Sequence, residues 1–372
     1  MKNWVLYYLR CPRCMSHLES STFRASEEGG VWSGVLICCN PNCQVWYPII
    51  QGIPRMLPEA LRTATTRQFV HEHHAGLLAR GLIGKSSSNY TDELHELKQQ
   101  TIQHFGFEWI EYARHGWDDP VYNIQHEEKV FRHKSLLKPE DIYGKLVLDA
   151  GCGNGRYTYW VAQYGGQVIG VDIGAGVESA NQNTADLSNV QIIQGDIFNL
   201  PFENGCFDII FSIGVLHHTG DARRAVMSLA DKLKPGGSLT VHVYGKGNFI
   251  YEFIDCVLRS RTTRMSVVKL QEFTRKAYIL RRILERIRLT TPLNQFVRLD
   301  SHPHCIFDWY GAPIATHHTY NEVKEWFMQS GLKVIATNEK ATGHKSAFKK
   351  LLSSLMYGSS TDTVTVRGVA IL

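Results

Sequence analysis

Between residues 146 and 244 the chain alternates short apolar runs with longer stretches whose apolar residues return every three or four positions. The runs at 146–150, 168–171, 190–193, 207–212 and 238–244 are rich in Val, Ile and Leu and predict strands. The stretches at 156–164, 177–185 and 222–233 predict helices. Strands buried on both faces and separated by helices imply an α/β fold with a parallel sheet. Upstream, Ile102, Phe105, Trp109, Ile110 and Tyr112 mark one face of a helix beginning near residue 101. Residues 246–300 break the alternation and read as helices. The rhythm returns with a helix at 320–330 and strands at 332–337 and 363–372, which can pair antiparallel at the sheet edge. The intervening 338–362 holds a further expected helix at 346–356.

Composition narrows the class. The chain has 372 residues, 44% hydrophobic and 20% charged, as expected of a soluble globular protein with two or three units. No apolar run approaches the roughly 18 residues of a membrane span. The first residues lack a small-residue cleavage site, so a cytoplasmic location is expected. The net charge is +5, yet residues 259–288 contain ten cations against Glu272 and Glu285. Thirty residues thus carry +8 and the remainder −3. Their apolar residues Val267, Val268, Leu270, Phe273, Tyr278, Ile279, Ile283 and Ile287 fall at helical spacing. They suggest a lid that docks on the core and presents a basic face to an acidic acceptor, RNA or an anionic membrane, or a solvated hairpin.

The nine cysteines are unevenly spread, five of them before residue 44. Cys11-Pro12-Arg13-Cys14 is a C-x-x-C knuckle, and Cys38-Cys39-Asn40-Pro41-Asn42-Cys43 supplies a second. Four thiolates from two such turns can enclose a structural zinc ion. Cys11, Cys14, Cys38 and Cys43 are the expected set, with Cys39 as the alternative to Cys38. A unit of residues 1–58 has too little core to fold readily without such a staple. Residues 59–100 read as a polar connector, with a flexible joint at 81–88 and His71-Glu72-His73-His74 on a solvated helix face.

The densest chemical signal is Val147-Leu148-Asp149-Ala150-Gly151-Cys152-Gly153-Asn154-Gly155. A strand enters a glycine turn that opens a helix. A dinucleotide fingerprint would place its third glycine at residue 156, which is arginine. An acid two residues before the first glycine would repel a diphosphate and suits a positively charged amino group. Asp172 ends the next strand, where it can accept from ribose hydroxyls. Asp196 follows the third strand, within reach of an exocyclic amine.

Residues 141–245 resemble the class I S-adenosylmethionine (SAM)-dependent methyltransferases of the type 11, ubiquinone-biosynthesis-like group. The resemblance rests on the glycine loop, Val171-Asp172, Gly195-Asp196, Phe207-Asp208, Ser212 to His218, and Lys234-Pro235-Gly236-Gly237. It implies a Rossmann-like, seven-stranded, mostly parallel sheet with an antiparallel edge strand. It further implies that Asp149, Gly151, Cys152, Gly153, Asn154 and Gly155 hold the methionine end. Asp172 and Ile173 would hold the ribose, Asp196 and Ile197 the adenine, while Ser212 and Ile213 lie near the methyl group. The first unit resembles zinc ribbons attached to some methyltransferases and the small ribbon protein that activates others.

The expected organisation is a ribbon at 1–58, a linker with helices at 59–140 and the cofactor-binding core at 141–245. A helical basic insertion with an acceptor-side segment follows at 246–319, and 320–372 complete the sheet. His217 or His218 could take a proton from the acceptor. Trp309, Tyr310, His317 and His318 suit the substrate side. His302, His304 and Cys305 lack a further ligand nearby in sequence, so a metal there is not expected. The function expected is methyl transfer to a small-molecule or carrier-borne acceptor of biosynthetic or glycan type. An RNA base methyltransferase and a non-catalytic scaffold are the alternatives.

Overall fold

In the computed structural model the described residues are 1–83, 94–118, 122–294, 296–339 and 363–371. The flexible joint expected at 81–88 lies largely outside them, as does the helix expected at 346–356.

The amino-terminal unit is a four-stranded antiparallel sheet in sequence order, β1 (Leu18–Ala25), β2 (Val31–Cys38), β3 (Trp46–Ile50) and β4 (Ile53–Pro54). Within the polar connector, residues 64–79 form two helices. Helices α1 (Ala64–Glu72) and α2 (His74–Ala79) pack Phe69 and Leu77 against Val35 and Trp46. The Trp46 indole donates to the Leu82 carbonyl at 2.9 Å. His71, Glu72 and His74 are solvated as expected, while His73 stacks on Phe23 and bonds Ser33.

Two helices follow, α3 (His95–Glu111) and α4 (Ile124–Ser135), then the one-turn α5 (Pro139–Ile142). The main sheet begins with β5 (Leu146–Ala150). It continues through α6 (Arg156–Gln163), β6 (Gln167–Asp172), α7 (Gly176–Asn183), β7 (Val190–Gln194), β8 (Phe207–Ile213), α8 (Ala222–Ala230) and β9 (Leu233–Tyr244). The insertion forms α9 (Phe249–Thr262), α10 (Val267–Arg286) and the short α11 (Thr290–Leu293). The tail comprises α12 (Pro303–Gly311), α13 (Tyr320–Gln329), β10 (Leu332–Thr337) and β11 (Thr363–Ala370).

The seven strands lie in the order β10-β11-β9-β8-β5-β6-β7. β5 pairs in parallel with β6 and β8, and β11 runs antiparallel to both β9 and β10. Val147, Leu148, Ile169, Ile210, Phe211 and Val241 are fully buried, as a sheet covered on both faces requires.

The ribbon covers the β7 edge, which would otherwise expose unpaired backbone groups. Arg55 bridges Gln194 in parallel, and the Met56 N–H donates to the Gln194 carbonyl at 2.7 Å. The Arg55 guanidinium, 2% exposed, pairs with Glu178 at 2.8 Å. Leu9, Leu36 and Tyr47 share one apolar core with Leu148, Ile193 and Phe202.

The lid departs from expectation. Leu270 is buried, and Phe273 and Tyr278 are half-buried against α12. Val267, Val268, Ile279, Ile283 and Ile287 face solvent instead of the core. Helix α10 has one face satisfied by α12, and no other element covers its opposite side among the described residues.

Candidate functional site

A cavity of about 420 Å³ opens at the carboxyl ends of β5, β6, β7, β8 and β9. Open α/β sheets place ligands there, because the loops leaving the strands diverge. Helices α3, α4 and α12 close it from above, contributing Phe105, Trp109, Glu127, Lys134 and Asp308.

One wall is the glycine loop. Gly151 has φ of 91°, and a Cβ there would come within 2.3 Å of Val215. Gly153 has φ of 52° and is capped by the Trp109 indole, 2.9 Å from where a Cβ would stand. Both positions demand glycine on conformation and on space. Asp172 holds the loop in shape: its carboxylate oxygens accept from the Gly153 N–H at 3.0 Å and the Gly174 N–H at 2.9 Å. Burial raises its pKa, opposed by these hydrogen bonds.

Of the residues expected to meet a cofactor, Gly151, Cys152, Gly153, Asn154, Asp172, Ile173, Asp196, Ile197 and Ile213 line the cavity. Asp149, Gly155 and Ser212 do not. Asp149 is 2% exposed and turns under the first turn of α6, where the Thr158 hydroxyl donates to it at 2.6 Å. Burial pushes its pKa up to about 7, partly opposed by that hydrogen bond. Gly155 packs against Ala180, and the Ser212 hydroxyl staples β8 to the Ala150 carbonyl at 2.7 Å. At the far end, the Lys98 ammonium on α3 reaches Asp196 at 2.6 Å, both groups buried. No sequence signal links these two residues.

The opposite wall separates the two adjacent histidines. His218 lines the cavity, whereas His217 is fully buried behind it, its ring centre 3.7 Å from that of Tyr244 at a tilt of 31°. The His218 Nδ1 lies 2.6 Å from the Ile314 carbonyl, which can only accept. This fixes the tautomer with the proton on Nδ1 and a lone pair on Nε2. Burial lowers the His218 pKa to about 3, keeping the ring neutral. Asp308 Oδ1 stands 3.8 Å from Nε2, and the Tyr244 hydroxyl donates to Asp308 Oδ2 at 3.0 Å.

The sequence points to Trp309 and Tyr310, but the structure places these two behind the wall and their neighbour Asp308 on it. His304, Cys305 and Asp308 occupy the cavity-facing side of α12, at offsets of one and four residues. Trp309 and Tyr310 point into the lid's own core. The Trp309 indole donates to Asp255 at 2.7 Å, and the Tyr310 hydroxyl donates to the Arg298 carbonyl at 2.9 Å. His317 stacks on Trp309 and binds Glu252 at 2.7 Å, while His318 bonds Thr316. These four residues support the wall; they do not line it. The i, i+4 pair of His304 and Asp308 was the available sequence signal.

The structure also supplies a neighbour for His304 and Cys305. His115, 189 residues upstream of His304, brings its ring so close that ligand atoms of all three lie within 4.8 Å. Burial and the Arg156 charge push the His115 pKa down to about 2, and Lys134 adds to this. The same two cations oppose a metal ion here, so the cluster reads as cavity wall.

In the ribbon, Cys11, Cys14, Cys38 and Cys43 converge, their sulfurs all within 4.8 Å of one another. Cys14 and Cys38 are 3.4 Å apart, and Cys11 and Cys43 3.8 Å. Cys39, the residue just after β2, is exposed and stays outside the cluster. The tetrad therefore takes Cys38. Its donor chemistry fits tetrahedral zinc.

Residues 148–241 match the protein family described as "Methyltransferase domain". Over 118 residues the chain is 32% identical to a demethylmenaquinone methyltransferase of Staphylococcus saprophyticus, covering 30% of this chain and 50% of that protein. Over 105 residues it is 39% identical to a probable tRNA methyltransferase 9B of Mus musculus, covering 27% and 22%. The chain thus spans half or less of these curated relatives. Among solved structures, magnesium protoporphyrin IX methyltransferase from Synechocystis with bound SAM aligns at 16% identity and a TM-score of 0.42, covering 76% of this chain and all of that one. Among the described residues no helix is long and apolar enough to cross a membrane.

Proposed function

We propose that this protein transfers a methyl group from SAM to a small-molecule or carrier-borne acceptor held in the cavity. The observation that carries this reading is the two-walled site. The glycine loop, Asp172 and Asp196 form one wall, and His218 with Asp308 the other, joined by one continuous cavity.

SAM, when bound, supplies an already activated methyl group on a sulfonium. Asp172 keeps lone pairs free for ribose hydroxyls beyond its two backbone bonds. Asp196 faces the adenine end, with Lys98 beside it. Asp149 acts from beneath the loop: an ammonium group nearby would favour its ionised form, which burial otherwise disfavours. His218 Nε2 accepts the proton that an acceptor O–H or N–H loses on methylation, and Asp308 stabilises the imidazolium that results. His217 has no route to substrate. The apolar cover of Phe105, Trp109 and Val130 excludes water and aligns the reacting atoms. Such alignment can be worth roughly 7–11 kcal/mol.

The ribbon tetrad holds a structural zinc ion in this reading, with Cys11, Cys14, Cys38 and Cys43 as ligands. The closed set leaves no position for substrate.

The test is incubation of the purified protein with methyl-deuterated SAM and a cell extract, followed by mass spectrometry of separated metabolite and RNA fractions. Label in a small molecule supports the proposal. Label confined to RNA would favour a base methyltransferase, a class that one relative's name also suggests. Absence of SAM binding by calorimetry would leave only a scaffold.

A further inference from the structure

Helix α10 presents to solvent a face that a merely solvated helix has no reason to carry. Setting Leu270 and Thr274 toward α12, the outward arc holds Val268, Ile279 and Ile283 together with Glu272 and Arg286, with Leu280 and Ile287 beside them. Val268 is 74% exposed, Ile279 51%, Ile283 52% and Ile287 59%. One exposed aliphatic residue is ordinary, but Ile279, Leu280, Ile283 and Ile287 cluster on the carboxyl-terminal half of the helix, separated from Val268 by Glu272, Arg275 and Lys276. Arg275 and Arg282 lie to one side of these aliphatic residues, Lys269 and Lys276 to the other, and Arg286 at their carboxyl-terminal end, all exposed. Only Glu272 and Glu285 oppose them. Glu272 pairs with Lys276 at 2.7 Å, and Glu285 lies 3.8 Å from Arg282.

We propose that this face of α10 lies on an anionic phospholipid bilayer. Its isoleucines would enter the boundary between headgroups and acyl chains, while the flanking Arg and Lys side chains extend upward to lipid phosphates. The charge decides between occupants. A second copy of the chain would set the same cations against each other. An RNA strand would use the cations but not the aliphatic residues, since bases stack on aromatic rings. The aromatic residues of α10, Phe273 and Tyr278, turn toward α12. Helix α9 adds an uncharged stripe of Phe249, Ile250, Phe253 and Val257, all exposed. The association proposed is peripheral, through the surface of α10.

The inference is independent of methyl transfer, and so is its test. The full-length protein is sedimented with vesicles of phosphatidylcholine alone or mixed with phosphatidylglycerol, at low and high salt. Binding is expected only to the anionic vesicles and should weaken with salt. Each surface cation near anionic lipid is worth about a fivefold change in partitioning. R275Q combined with R286Q should therefore weaken binding about thirty-fold. I279S combined with I283S keeps every charge and should weaken vesicle binding at least tenfold, at about 0.8 kcal/mol per buried methylene. All four side chains are exposed, so an unchanged thermal transition serves as the fold control. The proposal is overturned by equal binding to both vesicle types or by no binding. It is also overturned if the isoleucine variant binds vesicles normally, or if that variant instead abolishes self-association in the ultracentrifuge. RNA binding that the arginine variant loses and the isoleucine variant retains, without vesicle binding, would assign the face to nucleic acid.

Discussion

Replacing Asp149 with asparagine should stabilise the free protein while removing cofactor binding. The carboxyl group is buried, and its pKa stands at about 7 against an ordinary 3.8. Burial is the main cause, with the neighbouring Asp172 charge adding to it and the Thr158 hydrogen bond opposing. Between these two values the folded chain holds a proton that the unfolded chain has released. Folding stability is therefore full below the unfolded pKa and falls as pH rises toward 7, by about 1.4 kcal/mol per unit. The loss amounts to about 2 kcal/mol near pH 5.5 and about 4 kcal/mol at pH 8. The asparagine variant bears no such loss and keeps an acceptor for Thr158. Its stability advantage over the natural protein should grow by about 2 kcal/mol between these conditions, or roughly 3 °C in a chain of this size. Scanning calorimetry of both proteins at the two pH values measures this difference directly. Calorimetric titration with SAM should show binding lost, because the ionised carboxylate is what an ammonium group would recruit. A difference in Tm that is independent of pH, or that shrinks as pH rises, would refute the argument. It would mean that the folded protein holds Asp149 ionised without penalty.

Three further predictions concern other parts of the site. Asp172→Ala removes the acceptor of two backbone N–H groups and the proposed ribose contact; SAM affinity should fall at least a hundredfold by calorimetry, at about 1.5–3 kcal/mol per charged hydrogen bond, and normal binding would displace the ribose from this position. His218→Gln should lower kcat by about a hundredfold or more while SAM affinity stays within about threefold. Since burial holds the His218 pKa at about 3, the natural protein should show no acid limb near pH 6.5 that the variant abolishes, and finding one would contradict the neutral assignment. Cys14→Ser should cut zinc, measured by mass spectrometry of the metal, from one equivalent to a small fraction and lower Tm, whereas Cys39→Ser should retain the full equivalent; equal losses would return Cys39 to the ligand set.

The sequence by itself determined the order of strands and helices from 146 to 244, the glycine loop and the acids that end β6 and follow β7. These features are local: period-two and period-3.6 burial and the steric demand for glycine act over a few residues. It also placed both cysteine knuckles and the antiparallel pairing of the last two strands. Tertiary structure decided every choice between neighbours. Which of His217 and His218 meets the cavity depends on Tyr244 and Ile314, and which face of α12 looks inward depends on α9 and α10. Asp149 and Ser212 lie on the right strands, but Thr158 and the Ala150 carbonyl take them out of the cavity wall. Lys98 reaches Asp196, and His115 reaches His304, only because α3 and the turn after it fold over the sheet. The ribbon reads as a separate unit in sequence, yet it shares a core with the sheet because β7 needs its edge covered. The basic helix reads as a lid with a buried apolar side. A helix can bury only the face its neighbours cover, and α12 covers one side of α10 and leaves the isoleucines of the other in solvent.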